Sequence, residues 1–198
     1  MTITTVPWKQ LVWHSPPARA VVDGDVLEVE TRPNGDFWRN TLYGFVHDDG
    51  HFIGAPLARE LAIEVTFSGD FSHQFDQAGL MLRASPELWI KAGVELSDGV
   101  LFASAVVTRG WSDWSMTPLA AESQRQPFTI RASRSGDGVT LRYRIGSGGA
   151  WRLLRVAYMP PEADVIAGPM CCSPTRGGLV VRFERVRVGA CDHRLHDE

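Results

Sequence analysis

Residues 60–68 have the sequence Glu-Leu-Ala-Ile-Glu-Val-Thr-Phe-Ser, in which large apolar side chains stand at every second position. Successive side chains of a β-strand point to opposite faces, so this alternation predicts a strand with one apolar face. The same alternation recurs in residues 25–30, 77–83, 128–133 and 139–146. The chain is therefore expected to consist of strands that each bury one face in a core.

Turn signals separate these strands. Asn-Gly and Asp-Gly pairs tolerate the positive φ of tight hairpins, and five occur: Asp23-Gly24, Asn34-Gly35, Asp49-Gly50, Asp98-Gly99 and Asp137-Gly138. The segment Leu119–Arg125 has helix-forming residues but stops before Pro127, so it is predicted to form one or two helical turns or a loop. Parallel strands need long crossover connections, which this pattern lacks, so the sheets should be antiparallel.

These features together predict an all-β fold, namely an antiparallel jelly-roll β-sandwich of two stacked sheets. About a dozen strands or more are too many for an immunoglobulin-sized sandwich. With 198 residues and no linker or repeat, the chain is expected to form a single domain over residues 1–198. Its core should span about residues 11–189, and residues 190–198 should form a polar C-terminal tail.

Composition excludes several classes of protein. A hydrophobic share of 44% with 22% charged residues is typical of a globular protein rather than a disordered one. The net charge of −3 provides no concentrated basic footprint, so no nucleic-acid partner is expected. No apolar run is long enough for a transmembrane helix, and the first residues lack the pattern of a secretory signal. We therefore expect no membrane partner and a cytoplasmic location.

The cysteine content also favours a cytoplasmic location. Cys171, Cys172 and Cys191 are three in number, two of them adjacent, which is a poor disulfide framework and favours a reducing compartment. Together with His193 and His196 they could be imagined as a zinc site, but the spacing matches no structural zinc pattern. We predict buried thiols, no metal and no cofactor.

The segment Trp89-Ile90-Lys91-Ala92-Gly93-Val94-Glu95 is the best candidate for a binding surface. If its even-numbered residues enter the core, Trp89, Lys91 and Glu95 lie on the opposite face, which would be the concave face of a lectin-like sandwich. At about 3.3 Å per residue, the Cα atoms of Lys91 and Glu95 are about 13 Å apart and the two side chains need other partners. Candidate partners on adjacent strands are Asp76, Asp113 and Glu64.

Each candidate side chain also has a purely structural interpretation. Lys91 and Glu95 could be outward charges over which Trp89 lies flat, with a loop covering the whole patch. Trp38 could anchor a loop instead of forming the wall of a groove. Asp113, which lies between Trp111 and Trp114, could cap a turn through backbone amides.

Several strings of the sequence resemble a known family. They are Asp36-Phe37-Trp38, Asp76-Gln77-Ala78-Gly79-Leu80-Met81-Leu82-Arg83, Trp89 to Glu95, Val106 to Ser115, and Gly168-Pro169-Met170-Cys171-Cys172-Ser173-Pro174. In this order and spacing, from about Trp13 to Val188, the chain resembles the "regulation of enolase" family, a group of unknown function. The resemblance implies a concanavalin A-like lectin/glucanase sandwich, and it implies no established activity.

Three functions are compatible with this pattern. The first is a non-catalytic binding module that recognises a carbohydrate or polar metabolite through Trp38, Trp89, Lys91, Glu95, Asp113 and Trp114. The second is a protein-interaction or regulatory domain acting on a metabolic enzyme, which the family name suggests. The third is a glycoside hydrolase, which needs two carboxyl groups at a fixed separation. The chain has no Glu-x-Asp-x-Glu string, so a hydrolytic pair such as Glu95 with Asp113 is supported by fold analogy alone. We predict no catalytic residue.

Overall fold

The computed structural model describes residues 3–192 and residue 195 of the chain, and β-strands dominate it. The strands are β1 (Thr4–Thr5), β2 (Val12–Ser15), β3 (Arg19–Asp23), β4 (Val26–Glu30), β5 (Phe37–Arg39), β6 (Val46–Asp48), β7 (His51–Leu57), β8 (Leu61–Gly69), β9 (Gln77–Ser85), β10 (Leu88–Ser97), β11 (Val100–Arg109), β12 (Trp111–Pro118), β13 (Phe128–Ser135), β14 (Gly138–Ile145), β15 (Arg152–Tyr158), β16 (Val165–Cys172) and β17 (Val180–Ala190). Two short 3₁₀ helices accompany them, Trp8–Gln10 and Ala121–Arg125. The second lies within the segment expected to form one or two turns or a loop.

The strands form two large sheets and a small hairpin. One sheet has the order β15-β14-β13-β8-β17-β4-β3, with β1 also paired to β17, and the other has the order β12-β11-β10-β9-β16-β7-β2. We refer to them as the eight-stranded and the seven-stranded sheet. β5 and β6 pair only with each other. Every one of these strand pairings is antiparallel, which confirms the predicted all-β sandwich.

The core between the sheets is formed by the alternating apolar residues of the sequence. In β8 these are Ile63, Val65 and Phe67, each at most 2% exposed. In β10 they are Ile90, Ala92 and Val94, which belong to the same cluster. The predicted parity of both strands is therefore correct. The turn between β10 and β11 has positive φ at Asp98 (50°) and Gly99 (77°), as a two-residue hairpin requires.

The β5–β6 hairpin lies over the outer face of the seven-stranded sheet. Phe37 and Trp38 of β5 form a second apolar cluster with Phe52, Met81, Trp89, Val106, Met170 and Cys172. Arg39 fastens one end, because its backbone N–H donates to Ser112 Oγ at 2.9 Å and its guanidinium to Glu87 at 2.8 Å. At the other end Asp48 accepts from Arg83 Nη2 at 2.7 Å. This hairpin turns an otherwise open sheet face into one side of a cavity.

Packing near the C-terminus continues further than the sequence indicated. Ala190 is still part of β17, Cys191 is 6% exposed, and Asp192 accepts hydrogen bonds from Arg131 and Arg142 at 2.7 Å. The expectation that a solvated polar tail begins at residue 190 is therefore wrong for residues 190–192. Residues 193, 194 and 196–198 lie outside the described residues. Within the described residues, no helix has the length and apolar character needed to cross a membrane.

Candidate ligand-binding site

The outer face of β10 carries charged side chains close together beneath the hairpin. Lys91 and Glu95 are 4% and 6% exposed, with Gly93 between them. Gly93 faces Gly79 of β9, and a Cβ atom at either position would overlap the backbone of the other strand. Because neither glycine has a side chain above the sheet, the longer side chains around the pair form the floor of a cavity.

Lys91 is paired with a residue from the loop before β5. Its Nζ atom donates to Asp36 Oδ1 at 3.1 Å. The same oxygen accepts from the backbone N–H of Phe37 at 2.7 Å and from Gln77 Nε2 at 3.4 Å. Burial by itself would lower the pKa of Lys91 and is the largest single influence, but the charges of its acidic neighbours, Asp36 foremost and then Glu95, together with the hydrogen bond to Asp36 outweigh it, so the pKa lies above the usual range of lysine. The ammonium is therefore charged at neutral pH.

Glu95 takes part in a relay of hydrogen bonds with its neighbours on β11 and β12. Ser104 Oγ donates to Glu95 Oε2 at 2.8 Å, and Trp114 Nε1 donates to Ser104 Oγ at 3.0 Å. Burial raises the pKa of Glu95, and the opposing influence of Lys91 and Ser104 reduces this shift without cancelling it. The relay fixes the plane of the Trp114 indole relative to the carboxyl group.

A continuous row of aromatic rings forms one wall of the cavity. The Trp114 and Trp38 centroids are 6.1 Å apart, and Trp38 lies 5.6 Å from Tyr43, in both cases edge to face. Tyr43 stacks on Phe45 at 5.5 Å, and Phe45 meets His47 at 4.9 Å. We call these five residues the aromatic wall. Four of them come from the hairpin and its connecting loop.

The opposite rim is held by a buried ion pair. Asp76 is fully buried and accepts from Arg176 Nη2 at 2.6 Å and from Ser173 Oγ at 2.8 Å. Burial opposes ionisation of Asp76, but the hydrogen bonds from Arg176 and from the backbone of His73 outweigh it and hold its pKa below the usual range. This pair joins the loop before β9 to the loop after β16, which contributes Pro174 and Thr175 to the cavity.

The resulting cavity has a volume of about 340 Å³. Its lining combines the aromatic wall and the charged floor: Asn34, Asp36, Trp38, Tyr43, Phe45, His47, Phe75, Gln77, Lys91, Glu95, Val106, Trp114, Pro174 and Thr175. Apolar walls with a few convergent polar groups are typical of small-ligand sites. Four of the six predicted site residues line this cavity: Trp38, Lys91, Glu95 and Trp114.

The structure corrects the role assigned to Trp89. Its side chain does point away from the core, as its parity predicts, but it is 1% exposed. Phe37 packs over it at 6.2 Å between centroids, and its indole Nε1 donates to the carbonyl of Pro86 at 3.2 Å. Trp89 therefore has no ring face available for stacking on a ligand and supports the hairpin instead.

The structure also corrects the role of Asp113. On β12 it lies opposite Val107, a residue of the inter-sheet core, whereas Trp114 lies opposite Val106 on the outer face. Asp113 is thus directed away from the cavity and pairs with Arg155 at 3.1 Å. A hydrolytic pair of Glu95 with Asp113 is wrong for the same reason, because the two side chains lie on opposite faces of one sheet.

The other two expected partners of Lys91 and Glu95 are also engaged elsewhere. Asp76 pairs with Arg176, and Glu64 lies on the eight-stranded sheet with Arg131 and Arg187. The actual partner, Asp36, belongs to the first string that carried the family resemblance. Tyr43, Phe45 and His47 were also missed, because a loop and a three-residue strand give no periodic signal.

The three cysteines are buried. Burial raises the pKa of Cys171 and Cys172, and the Cys172 thiol contacts Asp36 Oδ1 at 3.7 Å. Among residues 3–192 and 195, no group of three or more His, Cys, Asp or Glu side chains could hold a metal ion. His193 and His196, considered above as ligands, lie outside the described residues.

The fold and the walled cavity define a lectin-like β-sandwich. The legume lectin-like domain from Entamoeba histolytica has a TM-score of 0.63 at 6% identity, over 93% of this chain and 91% of that one, which shows the fold alone. A functionally unknown protein from Saccharomyces cerevisiae has a TM-score of 0.87 at 33% identity, over 93% of this chain and 98% of that one.

Sequence comparison identifies the family. The chain is 36% identical over 190 residues to Regulation of enolase protein 1 of Saccharomyces cerevisiae, which covers 95% of this chain and 94% of that protein. The family described as "Protein of unknown function (DUF1349)" matches residues 13–191. The chain belongs to this family.

Proposed function

We propose that this protein is a non-catalytic binding module that takes a carbohydrate or another small polar metabolite in the cavity over β10. The observation that carries the proposal is the placement of an aromatic wall directly beside the Lys91–Asp36 ion pair and Glu95. Of the residues first expected to bind, Trp38, Lys91, Glu95 and Trp114 remain in the proposal. Asp36, Tyr43 and Phe45 join them.

The two halves of the cavity have complementary tasks. Aromatic side chains offer a large flat apolar area on which the carbon–hydrogen face of a ligand can lie. Tyr43 and Phe45 are 49% and 42% exposed, so part of this area is open to solvent. The charged floor offers directional donors and acceptors, which set the orientation of a bound ligand. Such a site suits a molecule with one apolar face and one polar edge.

The test is a calorimetric and fluorescence titration with a panel of neutral sugars, sugar phosphates and polyols. We expect saturable binding and a change in tryptophan emission, because Trp38 and Trp114 line the cavity. Trp114→Ala should weaken binding at least tenfold. Trp111→Ala is the matched control, since Trp111 lies on the same strand, is 65% exposed and is not part of the cavity lining.

Three results would count against the proposal. The first is an unchanged emission and heat across the whole panel. The second is a Trp111 variant that binds as poorly as the Trp114 variant. The third is recovery of the bound compound in a chemically altered form. The last outcome would show turnover and restore the hydrolase hypothesis.

A second candidate is a regulatory module that binds a metabolic enzyme. The name of the relative that is 36% identical favours it, and enolase is then the partner to test. The hairpin loop exposes apolar side chains that such a contact would cover: Leu42 is 89% exposed and Val46 is 49% exposed. We expect purified enolase to co-elute with the protein and its activity to change. Leu42→Ser should abolish both effects, whereas Val22→Ser, on the eight-stranded sheet, should not.

We also propose a single domain with its core over about residues 11–189 and a cytoplasmic location. The core shared by strands from both sheets supports the first, and the free thiols of Cys171 and Cys172 support the second. Denaturant unfolding should then follow one cooperative transition by fluorescence and by circular dichroism. Two separated transitions would contradict the single domain.

A further inference from the structure

We infer that the cavity selects an uncharged sugar ring and discriminates against its phosphorylated form. This inference rests on the proposed function and adds the chemical class of the ligand. It follows from the unused hydrogen-bonding capacity of the floor, from the balance of charge in the cavity, and from its size.

The ammonium of Lys91 retains donors that no protein group uses. Its side chain is 5% exposed, and within the described residues its one hydrogen bond goes to Asp36 Oδ1. An ammonium has three N–H donors, and a buried donor without a partner is costly. Because Lys91 lines the cavity, the remaining donors can be satisfied by a molecule bound there.

Two carboxylate oxygens complement these donors. The protein donors to Asp36 converge on Oδ1, and Ser104 donates to Glu95 at Oε2. Among the described residues, Asp36 Oδ2 accepts no hydrogen bond of ordinary geometry, and Ser104 leaves Glu95 Oε1 unused, although the Trp114 N–H also interacts with this carboxyl group. The floor thus offers spare donors and spare acceptors side by side. A hydroxyl group both donates and accepts, so adjacent hydroxyls of a sugar satisfy such a floor better than a group that does only one.

The charge balance argues against an anionic ligand. Among the residues that the structure describes, Lys91 is the one Lys or Arg in the cavity lining, and it shares the floor with the carboxyl groups of Asp36 and Glu95. Phosphate sites are typically built from several cationic donors or from the N-terminus of a helix. Here a phosphate would meet two carboxyl groups and one ammonium whose charge Asp36 already balances. Like charges brought together in a partly buried site repel strongly.

The volume sets the size of the ligand. Small-ligand cavities range from about 300 to 1,000 Å³, and a cavity of about 340 Å³ lies at the lower end. A single ring can lie with its carbon face against Trp114, to which Trp38 is nearly perpendicular, and with its hydroxyls towards Lys91. A longer oligosaccharide would have to extend past Tyr43 into solvent.

The experiment is calorimetry with matched pairs of ligands: glucose with glucose 6-phosphate, and galactose with galactose 6-phosphate, at constant ionic strength. At least one neutral hexose should bind, and its 6-phosphate should bind at least tenfold more weakly. Lys91→Met should abolish binding of the neutral sugar while the protein remains folded by circular dichroism.

A second variant tests the origin of the selectivity. Glu95→Gln removes one carboxyl group from the floor, so it should reduce the preference for the neutral sugar over its phosphate several-fold. Glu162→Gln is the control, because Glu162 is exposed, lies far along the chain from the hairpin and is not part of the cavity lining. It should leave the preference unchanged.

The outcomes separate this inference from the proposed function. Equal or tighter binding of the phosphates, or a preference that Glu95→Gln does not alter, overturns the inference and leaves a ligand-binding module. Binding of a metabolite from outside the sugars, with no sugar bound, does the same. Absence of binding by every compound in both panels overturns the inference and the proposed function together.

Discussion

Both sheets carry buried charges on their outer faces, but the carboxyl groups are used differently. On the eight-stranded sheet, Glu64 lies opposite Arg131 of β13 and Arg187 of β17, and its two oxygens accept from them at 3.0 and 2.6 Å. Asp192 likewise accepts from Arg131 on both oxygens and from Arg142 on Oδ2. Above the seven-stranded sheet, the protein groups that donate to Asp36 all bond to the same oxygen, Oδ1.

The difference separates a structural network from a binding site. A buried carboxylate with an arginine on each oxygen has little capacity to accept hydrogen bonds from a ligand. Removing it leaves the arginine charges without a partner. A carboxylate that lines a cavity and has one oxygen without a protein donor can still accept a hydrogen bond. Buried polar groups in native proteins are seldom left without a partner. The following substitutions test this contrast, in order of decreasing expected effect.

The largest effect is expected at Glu64. Glu64→Ala leaves two arginines without this partner, so the free energy of unfolding should fall by about 3 kcal/mol in urea denaturation. Glu28→Ala is the control, because Glu28 is on the same sheet and pairs with exposed Arg19 and Arg182. It should cost less than about 1 kcal/mol. Equal losses for both variants would contradict a structural role specific to Glu64.

A smaller loss of stability is expected at Lys91. Asp36 retains the backbone N–H of Phe37 and the Gln77 amide, and its side chain is 17% exposed. Lys91→Met should therefore cost about 1–2 kcal/mol of unfolding free energy while ligand binding is lost. A loss as large as that of Glu64→Ala, with binding retained, would make the floor of the cavity structural.

The next effect depends on pH and concerns Glu95. Burial raises the pKa of this group in the folded state, so the stability it contributes is present below the unfolded pKa of about 4.3 and is lost as pH rises through the folded pKa. Lys91, whose pKa is raised, keeps its contribution until pH exceeds about 10.4 and does not interfere.

Glu95→Gln removes that dependence. The unfolding free energy of the variant minus that of the parent protein should therefore rise as pH increases from about 4 to about 8. Urea denaturation at several pH values measures this difference, and Glu162→Gln serves as the exposed control. A difference that stays flat or falls over this range would show that Glu95 ionises freely in the folded protein.

The smallest effect is expected at Asp113. Its side chain is 71% exposed and pairs with Arg155 away from the cavity. Asp113→Asn should change stability by less than about 1 kcal/mol and leave ligand affinity unaltered in calorimetry. A weakened affinity would mean that the ligand contacts the other face of β12, contrary to the position of the cavity.

The sheets were predictable because their information is local. Alternation placed Ile63 and Val65 in the core, and it correctly directed Lys91 and Glu95 away from it. The alternation shows to which face of the sheet a side chain points, but not which segment of the chain packs against that face. Trp89 has the predicted direction, but the hairpin that covers it starts 52 residues earlier at Phe37.

The partners in the cavity were less predictable because they depend on tertiary contacts. Asp36 and Lys91 are 55 residues apart in the chain, and nothing in the pattern around Lys91 indicates that pairing. Asp113 was assigned to the wrong face because Trp114 follows it directly and adjacent strand residues point in opposite directions. The motif Asp36-Phe37-Trp38 was the available signal, since it contains the ion-pair partner, the cover of Trp89 and part of the aromatic wall.

The glycine pair in the floor has a consequence for how this cavity can change. Gly79 and Gly93 tolerate no side chain, so β9 and β10 are held to one close approach beside Lys91 and Glu95. Most of the aromatic wall instead belongs to the β5–β6 hairpin, which pairs with no other strand. Exchanging the loop between β5 and β6 for another sequence would therefore give the same sandwich a different specificity. The hairpin is therefore the segment to replace when this protein is engineered.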